Sequence, residues 1–67
     1  MITIHLNGEA RAIDADMDLM RLLATFSLPV QRIAIELNKN VIRRVDWPRT
    51  VVGDGDRVEV VHFVGGG

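Results

Sequence analysis

A single segment of the chain carries a helical hydrophobic period, and that limits the fold more than any other feature. Leu19, Leu22, Leu23 and Phe26 recur at i, i+3, i+4 and i+7, the spacing that lays one apolar stripe along a helix. Met20 and Arg21 fall on the far side. A lone amphipathic helix must bury its stripe against something else, and an apolar sheet face is the simplest partner. The other apolar residues do follow strand periods. Ile2, Ile4 and Leu6 alternate with Thr3, His5 and Asn7, the pattern of a strand with one buried face.

Turn residues divide the remainder. Asn7-Gly8 tolerates positive φ and predicts a tight hairpin. The return strand, Glu9 to Ile13, is weaker, because Ala10 and Ala12 add little bulk. An acidic stretch from Asp14 to Asp18 leads into the helix, with Asp18 as its N-cap. Ser27 to Pro29 is expected to stop the helix, since Pro29 biases its predecessor away from helical geometry. A strand from Arg32 to Asn38 points Ile33, Ile35 and Leu37 one way and Ala34 and Glu36 the other. Asn38-Lys39-Asn40 forms a turn before a short strand at Val41-Ile42. Arg43 to Thr50 reads as irregular, with a loop or short helical turn at Asp46-Trp47-Pro48. Gly53 to Asp56 is a second turn, and the last strand runs from Arg57 to Val64. This order predicts an α+β domain, a mixed sheet with one main helix packed across one face, in the ubiquitin-like β-grasp arrangement. The Val-rich last strand is expected at a central position, flanked on both sides.

Composition then excludes several functions. With 67 residues, 48% of them hydrophobic, the chain is one small folded domain. Such a length does not accommodate both a core and a substrate cavity of roughly 300 Å³ or more, so it is not expected to be an enzyme by itself. A formal charge of -1 argues against nucleic-acid binding, which calls for a basic excess. Without cysteines there is no disulfide, thiolate metal site or thiol nucleophile. No leader-like apolar stretch or membrane-length span is visible. The Met1 start and the glycine end read as a whole mature chain, expected in the cytoplasm.

Several groupings of reactive side chains fail on spacing. Asp14, Asp16 and Asp18 mimic the start of a calcium loop, but Leu19 stands where its glycine is required and Thr25 where its glutamate is required. His5 and His62 have no cysteine to complete a metal site. Gly53-Asp54-Gly55-Asp56 lacks the spacing and lysine of a phosphate loop and reads as a turn. No Ser/His/Asp triad is expected. Trp47, beside Pro48, reads as a lid on the core.

The chain end offers more. Gly65, Gly66 and Gly67 follow directly on an apolar strand without a polar spacer. Residues without Cβ atoms form a slender arm able to enter a narrow channel, and the Gly67 carboxylate has no side chain crowding it. If Val58 and Val60 face the helix, then Glu59, Val61 and Phe63 face outward. Val61 and Phe63 are therefore the candidate docking pair beside the tail. The domain is expected to span residues 1–64, with residues 65–67 as a flexible glycine tail.

The stretch from Ile33 to Gly67 resembles the ThiS family of sulfur carriers of thiamin biosynthesis. The resemblance rests on IAIELNKNVI, the Arg44-Val45-Asp46-Trp47 step, Gly55-Asp56-Arg57-Val58-Glu59-Val60-Val61, and the ending Phe63-Val64-Gly65-Gly66-Gly67. Arg43 departs from the proline common in relatives, and Gly65 is a common variation. The resemblance implies a β-grasp fold and a carrier that binds no cofactor. A ThiF-type adenylating enzyme, using ATP and magnesium, would activate the Gly67 carboxylate. A sulfur donor system would convert it to a thiocarboxylate, and thiazole synthase (ThiG) would take the sulfur. Gly65 and Gly66 would present the group. Two other readings share these features: a MoaD-like small subunit of molybdopterin synthase, and a ubiquitin-like module that only binds or is conjugated to lysines. The length and the Trp47 region favour the first reading.

Overall fold

The computed structural model describes residues 1–63. In chain order it has strands β1 (Ile2–Leu6), β2 (Glu9–Ile13) and β3 (Met17–Asp18), and helix α1 (Leu19–Thr25). Strands β4 (Ile33–Leu37) and β5 (Asn40–Ile42), a 3-10 helix (Arg44–Arg49), β6 (Val51–Val52) and β7 (Arg57–His62) follow. A five-stranded sheet runs in the order β2-β1-β7-β4-β5. The β1–β7 pair is parallel, while β7 runs antiparallel to β4. The Val-rich strand is thus central, as its sequence predicts, and the fold is the expected β-grasp.

The two hairpins form where their turn residues allow. Asn7 (φ 50) and Gly8 (φ 83) adopt the left-handed region between β1 and β2, the requirement of a tight primed turn. Asn38 (φ 51) and Lys39 (φ 72) do the same between β4 and β5. In α1, Asp18 accepts a hydrogen bond from the Arg21 backbone N–H at 2.9 Å, so the expected N-cap is present.

The helix stripe and the inner sheet face make one core. Leu19, Leu22 and Leu23 are buried against Ile4 and Leu6 of β1, Ile35 of β4 and Val58 of β7. Phe26, Leu37 and Val60 pack half-buried against this cluster. Trp47 is 2% exposed and closes the core from the 3-10 helix. Its indole N–H donates to the Ile42 carbonyl at 2.9 Å, which satisfies the one polar group such a ring brings inside. The Arg44 guanidinium lies over the same ring, 5.1 Å from its centroid. Burying a ring of this size contributes far more than its hydrogen bond, so the Trp47 region serves the fold first.

Three local expectations need correction. The acidic stretch is not simply a turn, because its last two residues, Met17 and Asp18, pair with Val52 and Val51 in a second, two-stranded sheet. Segments of two residues carry no period, so neither strand was visible in the sequence. The stretch around Trp47 is a continuous 3-10 helix over Arg44–Arg49. The helix stops at the start of the expected Ser27 to Pro29 stretch, but Ser27 and not Pro29 is the cause. Ser27 takes φ 54, and the N–H groups of Ser27 and Leu28 donate to the carbonyls of Ala24 and Leu23 at 3.1 and 2.8 Å. That is a Schellman closure, usually made by glycine. Among the described residues β7 ends at His62, and the expected extension to Val64 and the boundary between residues 64 and 65 lie outside them.

A side chain at the left-handed Ser27 position is strained, and glycine would relieve this at some cost in unfolded-state entropy. Ser27→Gly should therefore raise unfolding free energy by about 0.5–1 kcal/mol, measured by urea titration. A loss of stability would show that the Ser27 side chain contributes more than its backbone strain costs.

Candidate functional site: the open sheet face at the end of β7

Among the described residues, no element covers the face of the sheet opposite the helix. Along β7, Val58 is fully buried on the inner side, whereas Val61 and Phe63, the residue that follows the strand, are 47% and 50% exposed. The sequence-derived docking pair is therefore on the surface and on the side that leads to the tail. The structure adds a third apolar member. Ala34 stands opposite Val61, and Val41 of β5 stands opposite Glu36, so both belong to the outer face. Val41 is 69% exposed. Recognising it from sequence would have required the register of the β4–β5 hairpin, which local alternation does not supply.

The end of β7 is held from both sides. On one side the Phe63 N–H donates to the Arg32 carbonyl at 2.7 Å. Arg32 takes φ 60 to start β4, a conformation that non-glycine residues adopt rarely. On the other side β1 has already turned away, and the Asn7 side-chain oxygen accepts from the Val60 N–H at 2.8 Å. Asn7 thus does two jobs: it makes the hairpin turn and stands in for the missing β1 backbone. Only the first was readable in the sequence.

The start of β7 is fixed equally firmly. One carboxylate oxygen of Asp56 accepts from the Gly53 N–H at 2.8 Å, and the other accepts from the Asn38 side-chain amide at 3.1 Å. The Asn38 side-chain oxygen accepts from the Arg57 N–H at 2.9 Å. Asp54 accepts from the Thr3 N–H at 2.9 Å, and Gly55 (φ 84) donates its N–H to the Thr3 carbonyl at 2.8 Å. The Gly-Asp-Gly-Asp stretch and the Gly55-Asp56-Arg57 step therefore join three strands and need no ligand to explain them.

No reactive cluster competes with this face. Among the described residues, no group of three or more His, Cys, Asp or Glu side chains converges to hold a metal. Asp14 and Asp16 line an open depression of about 350 Å³ together with Arg21 and Thr25, and none of its lining belongs to the β7 face. Nor is any described helix long and apolar enough to cross a membrane. Gly65, Gly66 and Gly67 lie outside the described residues.

The strand order and the helix across one face define a ubiquitin-like β-grasp protein whose outer sheet face is open next to its carboxyl-terminal strand. Comparison with known proteins narrows the class. The ThiS family model matches residues 4–67. The chain is 34% identical over 65 residues to the sulfur carrier protein ThiS of Bacillus subtilis, covering 96% of this chain and 98% of that one. It is 41% identical over 64 residues to a thiazole synthase of Magnetococcus marinus, covering 96% of this chain but 20% of that protein. The chain thus spans about one fifth of the length of that relative. The crystal structure of the thiamine biosynthesis protein ThiS from Geobacter metallireducens superposes with a TM-score of 0.89 at 30% identity, covering 98% of this chain and 100% of that one. The chain belongs to the ThiS family.

The Asn7 contact yields a test. Asn7→Ala removes the acceptor for Val60 and places a Cβ-bearing residue less tolerant of positive φ in the turn, so it should cost about 1–2 kcal/mol. Asn7→Gly keeps the turn and loses only the hydrogen bond, so it should cost less. Equal losses in thermal unfolding would mean that the Val60 bond, and not the turn, dominates.

Proposed function

We propose that this chain is a sulfur carrier of thiamin biosynthesis whose reactive group is the Gly67 carboxylate. Membership of the ThiS family carries the proposal. The open apolar face supports it, because β7 passes Val61 and Phe63 through this face and leads on to the three glycines. The thiazole synthase of Magnetococcus marinus, which contains a segment similar to nearly all of this chain, supports thiazole synthase as the partner that takes the sulfur.

The chemistry divides between carrier and partners. A carboxylate is a poor electrophile. In the proposed activation, an oxygen of the Gly67 carboxylate attacks the α-phosphorus of ATP and pyrophosphate leaves. The acyl-adenylate then has a good leaving group: the outer sulfur of a donor persulfide displaces AMP to give an acyl disulfide, and a second thiol, forming a disulfide with the donor, releases the thiocarboxylate. Splitting one hard substitution into two easier ones is the purpose of covalent activation. A ThiF-type enzyme would supply ATP, magnesium and the acid–base groups, and a separate system the sulfur. The carrier contributes position: the β7 face docks, and the glycine arm reaches. Ordering the arm in a partner's channel costs roughly 1–2 kcal/mol per residue, which favours release after transfer. Work in the cytoplasm, where such enzymes and ATP are found together, is part of the same proposal.

Incubation with the activating enzyme, ATP and a sulfur source should exchange one oxygen for sulfur at Gly67, read by intact mass. Deleting Gly67 or extending the chain past it should abolish the change while circular dichroism stays native. An unchanged mass with a demonstrably active partner enzyme would sink the carrier reading, and capture of a molybdopterin synthase large subunit instead of thiazole synthase would move it to another pathway. Phe63→Asp should weaken partner binding while costing less than about 1 kcal/mol of stability, as expected for a half-exposed side chain. Substantial unfolding would show that Phe63 supports the core.

A further inference from the structure

The outer face holds an unfavourable feature that the fold does not require. Glu36 of β4 and Glu59 of β7 are direct cross-strand partners. Their parity places both on the outer face, beside Ala34, Val41 and Val61. Like charges directly opposite in an antiparallel pair repel and destabilise the sheet. Among the described residues neither carboxylate lies within salt-bridge distance of a cation, since the ion pairs formed are Arg11–Glu9 and Arg49–Asp46. Arg57 shares the outer side of β7 two positions before Glu59, and His5 stands opposite Arg57 on β1. Arg57 is thus the same-face neighbour of the pair, two positions from Glu59 and diagonal to Glu36, without an ion pair to either, and the two carboxylates sit between it and the apolar residues at the end of β7.

We propose that Glu36 and Glu59 form the acidic half of a charge pair with the partner that receives the tail. That partner, a thiazole synthase, would present an arginine or lysine between apolar side chains that cover Val41, Val61 and Phe63. A guanidinium or ammonium set between the two carboxylates turns their repulsion into attraction, and the apolar rim excludes water around it. The repulsion tolerated in the free chain thereby biases it towards the complex. The arrangement also discriminates, because a partner with an acidic residue at that point would be rejected. This inference rests on the carrier reading, for which the same face is the docking surface.

The test uses the full chain and its cognate thiazole synthase. Glu36→Gln with Glu59→Gln should raise the thermal midpoint by about 1–6 °C, through relief of repulsion. The same pair of changes should weaken binding about tenfold or more. Added salt should weaken the unmodified complex more than the variant complex. Replacing both residues by lysine should weaken binding further than glutamine does. A glutamine variant that binds as tightly as the unmodified chain, with the same salt dependence, would overturn the charge pairing and leave the carrier reading intact. If the unmodified chain does not bind thiazole synthase at all, the carrier reading fails, and the charge pairing with it.

Discussion

The parallel pairing of β1 with β7 is the contact on which the rest of this domain depends. It joins the two ends of the chain, with His5 beside Arg57 and Leu6 beside Val58. Closing a loop of some fifty residues carries an entropy cost of roughly 3–4 kcal/mol before any contact forms. The pairing survives because several independent interactions share that closure. Val58 enters the core between the helix and β1. Backbone bonds run from His5 to Asp56 and from Asn7 to Val58, each at 2.9 Å. Asp56 and Asn38 then lock the start of β7 to the β4–β5 turn. Once β7 is held between β1 and β4, the direction in which its end leaves the domain is settled.

That central position also sorts the side chains. One side of β7 meets the helix and the other meets no layer at all. Among the described residues the one α-helix lies on the inner side of the sheet, and the 3-10 helix contributes Trp47 to the same core. The carrier proposal makes use of that open face. Presentation of a terminus is a function that needs only one covered face and a firm root for the tail. Asn7 and Arg32 supply that root from opposite sides of β7.

How much of this could be read from the sequence depended on the range of the interaction. The helix stripe, the Asn7-Gly8 turn and the alternation along β7 are local patterns, and each placed its residues on the correct face. Trp47 was legible as a lid because a lone large ring beside proline in a small domain has few other places to go. Two-residue strands such as Met17–Asp18 have no period and could not be seen. The helix stop was placed at Ser27 to Pro29, but its cause was hidden, because serine does not advertise a left-handed cap as glycine does. The Asp56–Asn38 link joins two residues that each looked like ordinary turn formers. At the site, Val61 and Phe63 emerged from strand parity alone. Val41 and the Glu36–Glu59 pair did not, because their neighbours are set by register between strands.

The distinction matters for interpreting the residues that mark the family. Most of the resemblance that the sequence shows lies in segments that hold β7 in place. Gly55 and Asp56 build its entrance, Asn38 ties that entrance to the next hairpin, and Trp47 closes the core. Such residues would be expected in any chain that must present a terminus from this strand, whatever chemistry the terminus undergoes. In the carrier proposal, the residues that choose a partner belong instead to the outer face. Glu36 and Glu59 lie there as direct cross-strand partners, and among the described residues neither forms an ion pair. A like-charged pair set beside exposed apolar residues is easier to understand as a feature of the assembled complex than of the isolated chain.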